Sequence, residues 1–284
     1  MKLLRIAALF VLLAVISQVP LSPAAGEPFS PAPDAFIPKK PARLAERLTL
    51  TTYALRNSIE RWRTAGDPSR DKAPLPLRLQ ALYQQRIYRY LVGHPLISKA
   101  TIASLPRSVA PDARANVMAG RRLSTLVHPV DPDRKWKLGP AEPADVLRRY
   151  FELGQQRFHV AWEILAAVMY VESKWNRVRS DSTAGAQGPM QFIPSTWDAY
   201  GMGGDVHDPH DAVLGAANYL HASGAPSNYR NALYNYNHAW AYVDAVLLYA
   251  RQMKRSQSNY YRYYNYQVFV VTTNGARRLT GPGL

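Results

Sequence analysis

The sequence contains no cysteine. That excludes disulfides, a thiol nucleophile and a lipidated N-terminal cysteine, and leaves stability to the core alone. Acidic residues are scarce, with 20 Asp and Glu against 35 Lys and Arg, so the formal net charge is +15. A cation of this size favours a polyanionic surface. Charged residues reach only 19% while hydrophobic ones make up 47%, which excludes a mostly disordered chain and allows one sizeable core, alone or with a smaller helical module. Beyond the first residues no stretch is long and apolar enough to cross a bilayer. Internal repeats, a Ser-His-Asp hydrolase signature and a phosphate-binding glycine loop are all absent.

The first residues read as an export signal. Lys2 and Arg5 precede an unbroken apolar run from Ile6 to Ile16, and Ser22 and Ala24 stand at signal-peptidase spacing. This predicts a signal peptide over residues 1–24, cleaved after Ala24, and an exported protein in the extracellular space, envelope or periplasm. The alternative is an uncleaved anchor, for which the run is short; it is the one route to a membrane that the sequence offers. Without Lys2 and Arg5 the chain carries 33 basic and 20 acidic residues, or +13. Inside a cell that charge points first to nucleic acid. Export points instead to the carboxylates and phosphates of a bacterial wall, so no nucleic-acid partner is expected.

Residues 25–42, with Pro28, Pro31, Pro33, Pro38 and Pro41, read as an extended Pro/Ala-rich linker. Residues 43–143 read as an N-terminal helical region. Leu44, Leu48, Leu55, Ile59 and Trp62 share one helical face, and Leu79, Tyr83, Ile87 and Tyr90 form a second stripe. A third helix after Pro111 shows Arg114, Arg121 and Arg122 on its polar side. Pro129, Pro132, Gly139, Pro140 and Pro143 mark a boundary. Residues 144–258 then alternate helix and loop. One helix carries Val146, Leu147, Tyr150, Phe151 and Phe158, the next runs from about Ala161 to Lys174, and a short one lies near Ser195–Tyr200. Asp208 is placed to cap a further helix, with Pro209 and Asp211 in its first turn. A last long helix shows Tyr242, Val246, Tyr249 and Met253 on one face. Residues 259–284 form a Tyr-rich segment and a small hairpin, signalled by the β-branched run to Thr273 and by Asn274-Gly275.

Glu172 is the most informative residue. Val168, Leu165 and Ile164 precede it by four, seven and eight positions, so an apolar stripe ends in a carboxyl group. Desolvation there favours the neutral acid, which a general acid acting near neutral pH requires. A helix-end glutamate turned to solvent is the plain alternative. The segment from Gly185 to Trp197 follows. Gly185 and Gly188 permit a tight loop close to a ligand; Met190, Phe192 and Trp197 offer apolar surface for sugar rings; Gln191 can donate and accept hydrogen bonds. A glycine turn with core aromatics would have the same composition. Tyr234-Asn235-Tyr236-Asn237-His238 then offers a tyrosine hydroxyl that could sit near the acid, or simply a helix end with packed tyrosines.

Together these parts resemble bacterial lytic transglycosylases. The resemblance rests on Glu172-Ser173, then Ser182-Thr183-Ala184-Gly185-Ala186 running into Gly188-Pro189-Met190-Gln191, then Tyr236-Asn237, and finally Tyr242-Val243 with Val246-Leu247. It covers roughly residues 160–253, and its Gln-Phe-Ile-Pro-Ser-Thr-Trp and Tyr-Asn-His versions are similar to actinobacterial-like members. It implies a mainly α fold: a lysozyme-like helical catalytic domain, with the N-terminal helices and a small C-terminal β-hairpin added. It implies peptidoglycan glycan strands as substrate, no cofactor, and Glu172 as single acid/base. It places Ser182 near the substrate acetamido or bridging region, Gly188, Met190, Gln191 and Phe192 along the cleft, and Tyr236 beside the acid with Asn237 in support. The stretch from Glu172 to Ser182 is about one residue longer than in the soluble members.

The implied reaction cuts the β-1,4 bond between N-acetylmuramic acid and N-acetylglucosamine and leaves 1,6-anhydro ends, as in wall remodelling. Goose-type lysozyme-like hydrolysis is the nearest alternative. An inverting hydrolase needs a second carboxylate roughly 6.5–9.5 Å away, and Asp181, Asp198 and Asp205 are its candidates. A wall-binding or assembly protein without activity is the other, using the positive charge and the run Tyr260-Tyr261-Arg262-Tyr263-Tyr264. The cluster Asp205, His207, Asp208, His210 and Asp211 fits no standard zinc or calcium loop and is assigned to helix capping, so no metal is expected. The sequence names no protein partner.

Overall fold

The computed structural model describes residues 29–284. The signal segment 1–24, the anchor alternative and the first residues of the linker lie outside them. From Phe29 to Lys40 the chain is irregular, as a Pro-rich stretch should be, but it is fastened to the helix Leu75–Gly93. Gln80 Nε2 donates to Phe29 O at 2.6 Å, Tyr83 Oη to Phe36 O at 2.7 Å, and Arg86 Nη1 to Ala35 O at 2.9 Å. Residues 29–40 of the expected linker therefore act as a strap.

The N-terminal helices are α1 (Pro41–Ala65), α2 (Leu75–Gly93), α3 (Pro95–Ala103) and α4 (Ala110–Ser124). Each carries a proline in its first turn, where the missing N–H has no helical partner to lose. On α1 the five stripe residues are all buried. On α2 burial is wider than the stripe: Leu77, Leu82, Tyr88 and Leu91 join Tyr83 and Ile87, while Leu79 is only partly covered. The short helix α3, nine residues long, carries no apolar periodicity that announces it.

After an irregular stretch come α5 (Ala144–Phe158), α6 (Trp162–Ser173), α7 (Pro194–Tyr200), α8 (Pro209–Ala222), α9 (Tyr229–Tyr236), α10 (Trp240–Arg255) and α11 (Gln257–Tyr264). Asp208 caps α8 as expected, accepting from His210 N at 2.8 Å and Asp211 N at 3.1 Å. The central helix is α6. Every residue from Trp162 to Tyr170 is buried, so its apolar residues cover the whole circumference and not one stripe. α5, α8, α10 and α11 surround it.

One hydrophobic core runs through the N-terminal and C-terminal helices without a break at the irregular stretch. α4 packs on α10 and α1 on α11. The Tyr-rich segment is the helix α11. Tyr260, Tyr261, Tyr263 and Tyr264 are at most 8% exposed, so they offer no outer surface to a glycan. Their hydroxyls are satisfied inside: Tyr260 Oη donates to Ala144 O at 2.6 Å, Tyr264 Oη to Glu142 O at 2.8 Å and Tyr261 Oη to Asp145 Oδ1 at 2.7 Å.

The hairpin pairs β1 (Phe269–Thr272) antiparallel to β2 (Gly275–Arg278). Thr272 opposes Gly275, so Thr273-Asn274 is the two-residue loop. The expected turn at Asn274-Gly275 is displaced by one position, with Gly275 in the strand at φ 106°. The hairpin leans on α2: Gln85 Nε2 donates to Gln267 O at 2.9 Å, and the Arg89 guanidinium lies over the Phe269 ring. Among the described residues no helix is long and apolar enough to cross a membrane.

Candidate active site

Glu172 sits one residue before the end of α6, partly buried. Burial raises its pKa from an ordinary 4.5 to about 7. Two neighbours offset part of that rise, the Tyr242 hydroxyl and the charge of Lys174. The Tyr242 hydroxyl is buried against the carboxyl but closes no hydrogen bond of good geometry. Tyr236 also faces the acid, and burial, aided by the Glu172 charge, drives its own pKa well up. No second carboxylate figures among the groups that shift Glu172. Asp181, Asp198 and Asp205 are all exposed. Asp205 is engaged locally, accepting from His207 N at 2.8 Å.

The chain leaves α6 through an unusual turn. Lys174, Trp175 and Asn176 have φ of 53°, 66° and 62°, three successive non-glycine residues in the left-handed region. The turn is held from inside. Trp175 is fully buried and donates Nε1 to Tyr263 O at 2.9 Å. Ser173 Oγ accepts from Asn176 N at 2.8 Å and donates to Pro189 O at 2.6 Å. This last bond ties the end of the acid's helix to the glycine loop.

That loop is a closed turn. Gln187 and Phe192 exchange two backbone bonds of 2.9 Å, and Gln191 N donates to Gly188 O at 3.1 Å. Gly188 has φ 71°, and a Cβ there would overlap the Val206 carbonyl oxygen, so only glycine fits. Gln191 is left-handed at φ 51°, and its Nε2 folds back to Gly188 O at 2.9 Å. Tyr236 Oη donates to Met190 O at 2.7 Å. The turn is thus bonded on one side to α6, which carries the carboxyl group, and on the other to α9, whose Tyr236 faces it.

Residues 149–259 match the transglycosylase SLT domain. The matched stretch begins in α5, ends in α11, and contains Glu172, the 187–192 turn, Tyr236 and Tyr242. Its fold is mainly α and lysozyme-like. Membrane-bound lytic murein transglycosylase F of Thiobacillus denitrificans (strain ATCC 25259 / T1) is 36% identical over 74 residues, which are 26% of this chain and 15% of that protein. The protein of the same name from Maricaulis maris (strain MCS10) is 37% identical over 73 residues, 26% of this chain and 16% of its own. The similarity therefore spans only 15–16% of the length of these curated relatives. No solved structure matches the chain significantly.

Within the SLT stretch the expected site residues divide. Glu172, Gly188, Gln191 and Tyr236 come together around the turn and the acid. Met190 is fully buried and Phe192 is 3% exposed. Their side chains back the turn from the core, and Phe192 stacks edge-on with Trp197 and Tyr236 at 5.1 and 5.9 Å. What Met190 offers the turn's outer side is backbone. Ser182 turns inward, its Oγ accepting from Ala186 N at 2.9 Å and Ala184 N at 3.2 Å. Asn237 ends α9, its N donating to Leu233 O at 3.1 Å and its carbonyl accepting from Ala239 N at 2.6 Å. Two groups at the acid were missed. Tyr242 was legible as a core position of α10, but its distance from Glu172 depends on tertiary packing. Lys174 acts on the acid only because the left-handed turn folds it back onto α6, where its Nζ donates to Tyr170 O at 2.7 Å.

Proposed function

We propose that this chain is a peptidoglycan lytic transglycosylase of the cell envelope, exported by its N-terminal segment, with Glu172 as its single acid/base. The observation that carries the reading is a carboxyl group with a pKa of about 7, at the end of a buried helix and beside the turn of a transglycosylase SLT stretch. The names of the two relatives, both membrane-bound lytic murein transglycosylases, support the substrate class.

Near neutral pH a large share of Glu172 keeps its proton. That proton passes to the glycosidic oxygen as the bond between it and the muramoyl anomeric carbon breaks. The resulting carboxylate then removes the proton of the muramoyl 6-hydroxyl while that oxygen bonds to the anomeric carbon. The acid is regenerated, no water is consumed, and a 1,6-anhydro end is left. One carboxylate suffices for both steps. Tyr236 and Gln191 line the approach, while Ser182, Gly188, Met190, Phe192 and Asn237 shape the loop and the helix end that hold them. That no other carboxylate perturbs Glu172 favours this one-carboxylate route over water activation.

Digestion of purified sacculi, followed by mass spectrometry of the muropeptides, tests the proposal. Anhydromuramoyl products are expected. Reducing-end muramic acid would make the chain a hydrolase, and intact strands would make it a binder.

A further inference from the structure

A second space opens on the other side of α6. α2, α4, α10, the end of α6 and β1 enclose a cavity of about 470 Å³. Tyr170 lines it, and Tyr170 stands two residues before Glu172, roughly 200° around the helix axis. The Tyr170 ring therefore points away from the acid, while Lys174 borders the cavity and also acts on Glu172. Lys174 follows the Tyr170 side, its Nζ 4.5 Å from the centre of that ring.

The lining joins two cations to an aromatic wall. Arg89 and Lys174 both border the space, and no Asp or Glu does. Neither cation forms a salt bridge among the described residues. The Arg89 guanidinium rests 4.3 Å over the Phe269 ring. Burial lowers the pKa of both cations, that of Lys174 to about 8, with the Glu172 charge opposing part of the fall at Lys174. Tyr88, also in the lining, is 4% exposed, and its hydroxyl has no hydrogen-bond partner. Tyr249 and Phe269 complete the apolar wall.

Among the described residues Arg89 has no carboxylate partner, and Lys174 Nζ is held by the Tyr170 and Val171 carbonyls at 2.7 and 3.3 Å. Two cations without a salt bridge thus stand in a largely apolar lining free of carboxylates, complementary to a small anion with an apolar body. The planar fork of an arginine matches a carboxylate in particular, and the volume suits a few residues rather than a polymer. We propose that this cavity binds the carboxylate end of a short peptide, with the carboxylate between Arg89 and Lys174 and its aliphatic groups against Tyr170, Tyr249 and Phe269. The choice of a peptide rests on the peptidoglycan reading above, because that substrate carries short peptides with free carboxylates. The source is either the stem of a bound strand or a released peptide.

Calorimetric titration with N-acetyl-D-Ala-D-Ala and with its C-terminal amide tests this. The acid is expected to bind at least about tenfold more tightly than the amide. Arg89→Gln should weaken the acid by about the same factor. Gly93→Leu should weaken binding by crowding the edge of the cavity, because Gly93 is an exposed part of the lining where a Cβ meets no atom within 4 Å. Both variants are checked by thermal unfolding. A second arm compares glycan strands with and without their peptide stems. Tighter binding of stemmed strands, weakened in Gly93→Leu, assigns the site to the attached stem; equal binding of the two strands beside intact binding of the probe assigns it to released peptides. No binding by the wild type, equal binding of acid and amide, or indifference to both substitutions overturns the proposal. The probe has no glycosidic bond, so the result stands whether or not Glu172 cleaves glycan.

Discussion

At the scale of single residues, the central quantity is the proton on Glu172. Its folded pKa of about 7 lies above its ordinary 4.5, so between these values the native state holds more protons than the unfolded chain. Stability then falls as pH rises through that window, and the loss is complete above the folded pKa. Glu172→Gln removes the ionisation, and should stabilise the protein at about pH 8 relative to wild type by on the order of 3 kcal/mol at most. The gain should vanish near pH 4, and urea unfolding at the two pH values measures it. A pH-independent difference would mean that the carboxyl is not desolvated. Tyr242 and Lys174 both hold the acid's pKa down. Tyr242→Phe and Lys174→Met should each raise it, moving the alkaline limb of the pH–activity profile to higher pH. Glu172 was legible in the sequence because three apolar residues precede it at helical spacing. The opposing influence of Lys174 was not, since it needs three left-handed residues that no local propensity announces.

At the scale of elements, activity is expected to depend on the closed turn from Gln187 to Phe192. Gly188→Ala places a side chain at positive φ and against the Val206 carbonyl, and should cost more than about 1 kcal/mol with a matching loss of activity. Tyr236→Phe leaves Met190 O without its 2.7 Å donor, a cost of up to about 3 kcal/mol. Thermal unfolding and sacculus digestion measure both. The glycines of this turn were readable, because a tight loop needs residues that accept positive φ. The direction of its side chains was not. A Gly-Pro-Met-Gln-Phe run looks the same whether Met190 and Phe192 face sugar or core, and only the tertiary fold buries both, Phe192 against Trp197 and Tyr236. The hairpin shows the same limit: its existence was legible from composition, its register only from the bonds that β1 makes.

At the scale of the molecule, the irregular stretch before α5 is where the chain changes direction, and the core continues across it. Arg262 on α11 bonds Gln252 Oε1 at 3.0 Å on α10, and Asn116 on α4 donates to the same oxygen at 3.0 Å. Arg262 also pairs with Asp112 of α4. A fragment beginning at α5 would expose the face of α10 that α4 covers and leave Arg262 without its acid. It should fail to fold cooperatively, read as a broad thermal transition by circular dichroism. Proline and glycine spacing located the irregular stretch, but periodicity carries no information about which helices meet across it, so the joint core could not be read from the sequence. The most direct measurement on the whole protein is digestion of sacculi by wild type and by Glu172→Gln at equal concentration, with products identified by mass spectrometry. The account predicts 1,6-anhydromuramoyl ends from the wild type and almost none from a variant that is folded; undiminished release of those ends by Glu172→Gln would contradict it.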